Sequence, residues 1–182
     1  YLRGPIEQVI VGGSPMLLVP KNSDHGRNLG LELEANSRLG RFSKRLDGFS
    51  INTNATFISS AIVLKEQVSK LGSQEHPLQG QAGYLLNAAL TYAPARRRLD
   101  ASVLLGVTGE RLVTVAVGEL GDIYERPSAS LDATLGMLLG RARMKFSAKN
   151  LLDPEIRQMQ LDKVVSSFRR RRGYSIAFTY PS

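Results

Sequence analysis

The sequence contains no cysteine, and only two of its 182 residues are histidine. The absence of cysteine excludes disulfide and thiolate–metal scaffolds but leaves the compartment open. His25 and His76 lie far apart and lack the spacing of metal ligands, so we predict no metal site. The chain also lacks a G-x-S-x-G element, a phosphate-binding glycine loop and an acid pair beside a histidine. We therefore predict neither an enzyme nor a bound cofactor.

No hydrophobic run approaches the roughly 18–20 residues that a transmembrane helix needs. A transmembrane strand needs only about 9–11 residues, and its alternating pattern hardly registers in hydropathy, so a membrane protein is not excluded. The chain begins at Tyr1 without a signal peptide, and we expect it to be a fragment of a longer protein.

The net charge is +8, and arginines cluster at positions 96–98 and 169–172. Nucleic-acid binding is the first interpretation of such clusters. No aromatic residue is interleaved with either run, and no predicted helix carries them. We therefore expect solvated turns beside strands and no nucleic-acid partner.

Alternation of apolar and polar residues predicts an all-β chain of about eight strands. We expect them at residues 5–11, 29–39, 49–63, 81–92, 99–117, 130–139, 141–150 and 173–180. Gly109 should bend or bulge the fifth of these. A helical period is present only near residues 153–165.

The connections between these strands alternate in length. Those near residues 40–48, 93–98 and 140 are short, whereas those at 14–28, 65–77, 118–128 and 153–172 are long. Outer-membrane barrels have short turns on one rim and long loops on the other. The third strand, at about fifteen residues, is also long for a soluble sheet, where five or six is usual. The pattern favours an antiparallel up-and-down transmembrane β-barrel.

Alternation divides the side chains between two faces. In a membrane barrel the polar face would line the lumen, with Glu32, Glu34, Asn52, Asn54, Gln81, Asn87, Asp132, Lys145 and Lys149. The apolar face would contact lipid, with the aromatic residues Tyr84, Tyr92, Phe146, Tyr174, Phe178 and Tyr180. In a soluble barrel the apolar face would instead enclose a core, and periodicity alone does not separate the two. Strand length and the scarcity of Lys and Glu on the polar face favour lipid.

Five short phrases, in order along most of the chain, resemble the TonB-dependent outer-membrane receptors. They are Leu29-Gly30-Leu31-Glu32-Leu33-Glu34, Pro77-Leu78-Gln79-Gly80-Gln81, Leu90-Thr91-Tyr92, Ser130-Leu131-Asp132 and Lys149-Asn150-Leu151-Leu152-Asp153. The chain departs from the family at its end, where Tyr180 occupies the closing aromatic position but Pro181 and Ser182 overhang.

The resemblance implies that residues 1–182 are the C-terminal part of a 22-stranded barrel. A plug domain and the box that binds TonB would precede Tyr1. The family's function is uptake of large nutrients such as ferric siderophores across the outer membrane of Gram-negative bacteria, driven through TonB. The implied partners are the lipid bilayer, lipopolysaccharide, the TonB complex and the barrel-assembly machinery.

The expected ligand contacts are Asp122, Tyr124, Glu125 and Arg126, in a connection predicted to be external. Arg169, Arg170, Arg171 and Arg172 should lie near the outer rim, where arginine would pair with lipopolysaccharide phosphates. Two alternatives stay open. A complete eight-stranded barrel with a structural or adhesive role requires the first strand to pair with the eighth, and a soluble ligand-binding β-barrel requires no detergent.

Overall fold

A computed structural model describes residues 1–11, 17–64, 75–95, 98–116 and 121–180. Several expectations fall on residues outside these ranges. They are the strand break at Gly12-Gly13, Arg96 and Arg97 of the first arginine cluster, much of the connection at 65–77, the start of the connection at 118–128, and the overhanging Pro181 and Ser182.

The described residues form fifteen strands, so the predicted all-β class is confirmed. The strands are β1 (Leu2–Arg3), β2 (Ile6–Val11), β3 (Leu17–Asn22), β4 (His25–Arg38), β5 (Phe49–Val63), β6 (Glu75–His76), β7 (Tyr84–Tyr92), β8 (Leu99–Thr108), β9 (Arg111–Ala116), β10 (Ile123–Glu125), β11 (Ser128–Leu139), β12 (Ala142–Lys149), β13 (Glu155–Gln160), β14 (Lys163–Arg169) and β15 (Gly173–Thr179). Two short 3-10 helices, Leu39–Arg41 and Lys44–Leu46, connect β4 to β5. Within the described ranges, no helix has the length and apolar character needed to cross a membrane.

The main sheet is an antiparallel meander. Its order is β1-β4-β5-β7-β8-β11-β12-β15, with β6 added at the end of β5. It contains the second to eighth predicted strands, each beside its neighbour in sequence. The register places residues of like parity side by side, so Leu33, Ala55 and Leu86 are successive cross-strand partners. Alternation along each strand thus becomes two continuous faces, one apolar and one polar.

A second sheet continues the main one at the end where the long connections lie, here called the second-sheet end. Its order is β14-β13-β10-β9-β2-β3. The strands β9, β10, β13 and β14 repeat the order of β8, β11, β12 and β15, to which each is joined in the chain. Residues with left-handed backbone conformation lie between the paired strands of the two sheets. They are Asn150 (φ 55°) and Asp153 (φ 45°) between β12 and β13, and Arg171 (φ 65°) between β14 and β15. Asparagine tolerates this conformation, and the side-chain amide of Asn150 donates to the carbonyl of Arg171 at 3.0 Å.

The β2–β3 hairpin joins the second sheet through a parallel pairing. Val9 and Ile10 pair with Val115 and Ala116 of β9. The hairpin is connected in the chain to β1 and β4, so it passes the ends of β5 and β7 to reach β9. The buried apolar cluster lies here and consists of Val9, Leu64, Leu112 and Val115, with Tyr124 packed against it.

The strands of the described residues do not close into a barrel. The first predicted strand, β2, lies in the second sheet, whereas β15 pairs with β12 at one edge of the main sheet. The pairing of first with eighth strand that a complete eight-stranded barrel requires is therefore absent from the described residues.

Three local expectations were also wrong. The fifth predicted strand is not one strand but is divided into β8 and β9, and the break at Gly109 and Glu110 includes the glycine where a bend or bulge was expected. The segment at residues 153–165 is no helix but contains most of the β13–β14 hairpin. The connections predicted to be long loops contain β3, β10, β13 and β14, because these short strands pair with one another beyond the main sheet.

Candidate functional site

The apolar face of the main sheet is a distinctive surface of the described residues. Leu29 is 77% exposed and Phe178 is 71% exposed, although both lie within or beside regular strands. The register makes the face continuous, since Leu105 is opposite Leu131, and Phe146 is opposite Leu135 and Ile176. Further exposed members are Leu31, Leu33, Ile51, Phe57, Leu86, Leu90, Val103, Leu135, Tyr174 and Tyr180. Water-soluble monomers rarely expose a contiguous apolar surface of this kind.

Aromatic side chains mark two levels of this face. Phe49 and Tyr92 are cross-strand partners with ring centroids 4.7 Å apart, and Phe57 is opposite Tyr84 eight residues farther along. Eight residues of a strand tilted by about 40° separate the two levels by roughly 20 Å. Phe146 and Tyr174 also stack, at 6.5 Å. All six aromatic residues predicted to contact lipid, Tyr84, Tyr92, Phe146, Tyr174, Phe178 and Tyr180, belong to the apolar parity; their contact with lipid stays a prediction.

The polar face carries eight of the nine residues predicted to line a lumen. Glu34, Asn54 and Asn87 are successive cross-strand partners. The carboxylate of Glu32 accepts a hydrogen bond from the Asn54 amide at 2.6 Å. The others on this face are Asn52, Asp132, Lys145 and Lys149. The ninth residue, Gln81, precedes β7 and borders a cavity at the second-sheet end.

An ion pair between Asp100 and Arg143 crosses the polar face near the short turns. Both residues lie on the polar parity of their strands, but the sequence did not reveal their pairing. Gly136 lies between them, and a Cβ there would stand 2.6 Å from the Asp100 carboxylate oxygens. The missing side chain therefore lets the carboxylate reach over β11 to the arginine.

A polar cavity of about 430 Å³ lies at the junction of the two sheets. Its lining residues are Ile58, Gly80, Gln81, Ala82, Leu85, Thr108, Arg111, Glu125, Ser128 and Arg170. Arg111 is paired with Glu125 at 2.8 Å, and Gln81 Oε1 has no hydrogen-bond partner among the described residues. Arg170 therefore differs from the other members of the arginine cluster at residues 169–172, because its side chain borders the polar face.

The four predicted ligand contacts are spread along β10 and its flanks. Asp122 accepts a hydrogen bond from the Ala116 amide at 2.9 Å, and Arg126 pairs with Glu110 at 2.6 Å. Glu125 is buried against Arg111. Burial raises the pKa of Tyr124, and the charges of Asp122 and Glu110 raise it further. These side chains stabilise the second sheet, and their contact with a ligand stays a prediction.

A buried polar group that the sequence did not reveal lies beneath the β2–β3 hairpin. Glu7 Oε2 is 3.2 Å from His76 Nε2, and both side chains are 1% exposed. The Ser23 hydroxyl donates to the same carboxylate oxygen at 2.8 Å, and His76 Nδ1 lies 2.9 Å from the carbonyl oxygen of Pro77. Ser23 contacts the carboxylate and not the imidazole, so the three do not form a nucleophile–base arrangement.

The described residues place no group of three metal-binding side chains together. No protein-family model, curated protein or solved structure matches the chain.

Proposed function

We propose that this chain forms part of the wall of an outer-membrane β-barrel, as the C-terminal part of a TonB-dependent receptor. The observation that carries the proposal is the continuous, uncovered apolar face of the main sheet, with its two aromatic levels. In a bilayer this face would contact acyl chains, while the ladder hydrogen bonds satisfy the backbone. The polar face would line a hydrated lumen.

The proposed activity is TonB-dependent uptake of a large nutrient such as a ferric siderophore. Supporting features are the five phrases that resemble the receptors and the open edges of the main sheet, which leave room for further strands. The wall itself needs no covalent chemistry. The second sheet would extend the barrel wall beyond the membrane, with Asp122, Tyr124, Glu125 and Arg126 beside the entrance. The proposed partners are lipid, lipopolysaccharide, the TonB complex and the barrel-assembly machinery.

Spin labels at each position from 85 to 90 of β7 test the membrane assignment. Because this chain has no cysteine, each introduced cysteine is unique within it. In bilayers we expect collisions with oxygen to peak at positions 86, 88 and 90, and collisions with a water-soluble nickel chelate to peak at 85, 87 and 89. An apolar parity shielded from both reagents would contradict the proposal and support a soluble ligand-binding barrel.

The receptor assignment has a separate test. The residues that precede Tyr1 in the full-length protein should form a plug domain, and the full-length protein should bind the periplasmic domain of TonB. A full-length protein that inserts into bilayers but has neither property would be a structural or adhesive barrel.

A further inference from the structure

The contacts of His76 favour its protonated form. The carbonyl oxygen of Pro77 can only accept a hydrogen bond, so Nδ1 must carry a proton to contact it at 2.9 Å. A neutral imidazole would then present the lone pair of Nε2 to the Glu7 carboxylate, and the two would repel. At 3.2 Å the carboxylate favours an imidazolium, and the contact is a charge pair without a hydrogen bond, because Nε2 has no hydrogen-bond partner among the described residues.

The hairpin has other attachments besides this pair. Among the described residues, two residue pairs join β2 to β9. The Gln79 side chain accepts from the Gln8 amide at 2.9 Å and donates to the carbonyl of Val113 at 2.7 Å. Val9 packs into the apolar cluster, and Gln79 also donates to the carbonyl of Gln8 at 3.1 Å. At the base of the hairpin, the Asp24 amide donates to the carbonyl of Val63 at 2.9 Å. Glu7 and His76 add a buried charge pair to these contacts.

Loss of the His76 proton would leave a buried carboxylate without a counter-charge. Ser23 would be its one remaining donor, because Glu7 Oε1 has no hydrogen-bond partner among the described residues. A buried charge that loses its partner is strongly destabilising. Lys21 lies opposite Glu7 in the hairpin, but no ion pair joins them in the described part of the chain.

The charged neighbours strengthen this dependence. Burial lowers the pKa of His76, but the Glu7 carboxylate, the Pro77 carbonyl and the charge of Asp122 outweigh it, so the pKa is raised above 6.5. Other titratable groups around the hairpin's base include Asp24, His25 and Glu75, and all three are considerably exposed. Tyr1 and Arg27 also lie here, since Tyr1 stacks on His25 and Arg27 pairs with Glu75. A raised histidine pKa stabilises the docked form below about pH 6.5, and this stabilisation is lost as the pH rises through the raised pKa.

We propose that the β2–β3 hairpin is a pH-sensitive strap, docked on the second sheet while His76 is protonated and released when His76 becomes neutral. The strap would cover the ends of β5 and β7 in acid and expose them in alkali. This inference concerns the hairpin alone and does not rest on the proposed transport.

The test measures the distance between spin labels at Leu18→Cys on β3 and Val164→Cys on β14, both exposed positions. The full-length protein in bilayers is examined by pulsed electron–electron double resonance from pH 6 to pH 9. We expect one narrow distance population at pH 6 and its loss at pH 9. The ratio of docked to released strap should fall by at most tenfold per pH unit, as for one proton.

Matched variants identify the titrating group. His76→Gln keeps a donor toward Glu7 but cannot titrate, so its distances should not change with pH. Glu7→Gln removes the buried charge and should also abolish the response. His25→Gln, which alters the exposed histidine, should retain it. An unchanged distribution in the wild-type protein, or a transition that persists in the folded His76 or Glu7 variant, would overturn the proposal.

Discussion

Gly109 makes room for an aromatic ring where the chain leaves the main sheet. Its amide donates to the carbonyl of Tyr84 at 2.9 Å, and the Tyr84 ring lies over the glycine. A Cβ at position 109 would be 2.7 Å from Cδ1 of Tyr84. The bare backbone thus lets Tyr84 keep its position on the apolar face at the end of the ladder.

Substitution of Gly109 by alanine should therefore be costly. We expect Gly109→Ala to lower the free energy of unfolding by about 1–3 kcal/mol, because the ring must move or the backbone must shift. Gly83→Ala is the matched control, since the nearest atom to its added Cβ is 4.0 Å away. Denaturant titration in the same detergent measures both, and equal stability of the two variants would show that the ring moves freely.

The buried pair of Glu7 and His76 illustrates which site residues a sequence conceals. The two positions are 69 apart (76 − 7) and lie in strands whose pairing partners were not predicted. A single histidine carries no periodic signal, so only the folded chain brings it to a carboxylate. The polar and apolar faces were predictable, because every strand repeats the same alternation.

At the scale of elements, pattern length decided what could be predicted. The strand expected at residues 49–63 coincides with β5, because fifteen alternating residues give an unambiguous period. By contrast, β10 has three residues and β3 contains Pro20, so neither shows a recognisable strand pattern. The hairpin of β13 and β14 was missed because β14 does not alternate: Val164 and Val165 are adjacent, as are Ser166 and Ser167.

Two members of the arginine cluster at residues 169–172 have separate structural roles. Arg169 donates to the carbonyl of Asp153 at 3.2 Å, and Arg170 borders the polar cavity. Arg171 and Arg172 are exposed and are the members free of those two roles. If lipopolysaccharide is a partner, its phosphates should therefore contact this second pair.

Substitution of that pair tests the lipopolysaccharide contact. Arg171→Gln with Arg172→Gln should lower stability in lipopolysaccharide-containing bilayers by roughly 1–3 kcal/mol, through lost charge-assisted hydrogen bonds. Arg41→Gln with Lys44→Gln, at the opposite end of the main sheet, should have no such effect. Thermal unfolding with and without lipopolysaccharide compares them, and a similar loss in lipid alone would rule out the contact.

The molecule as a whole presents one broad apolar face and open sheet edges. In the described residues β15 is bonded along one side only, and its seven residues are exposed throughout. Unpaired edges and uncovered apolar surface promote association in water.

We accordingly expect this chain alone to associate in water and to become monodisperse in detergent. Size-exclusion chromatography with light scattering in the two media measures the change. Charged substitutions such as Ile176→Lys and Phe178→Lys on β15 should reduce the association, whereas Ala177→Lys on the polar face should reduce it less. A monodisperse monomer in water without detergent would favour the soluble alternative.

The parallel pairing of the strap has a further consequence for the order of folding. Val9 and Val115 are 106 positions apart (115 − 9), whereas each strand of the meander meets its neighbour after a much shorter stretch of chain. Closing so large a loop costs entropy before any contact offsets it, and such contacts form slowly. We therefore expect the strap to dock in a late kinetic phase, after the meander is complete. A folding intermediate trapped before this step would have a complete main sheet and an undocked hairpin.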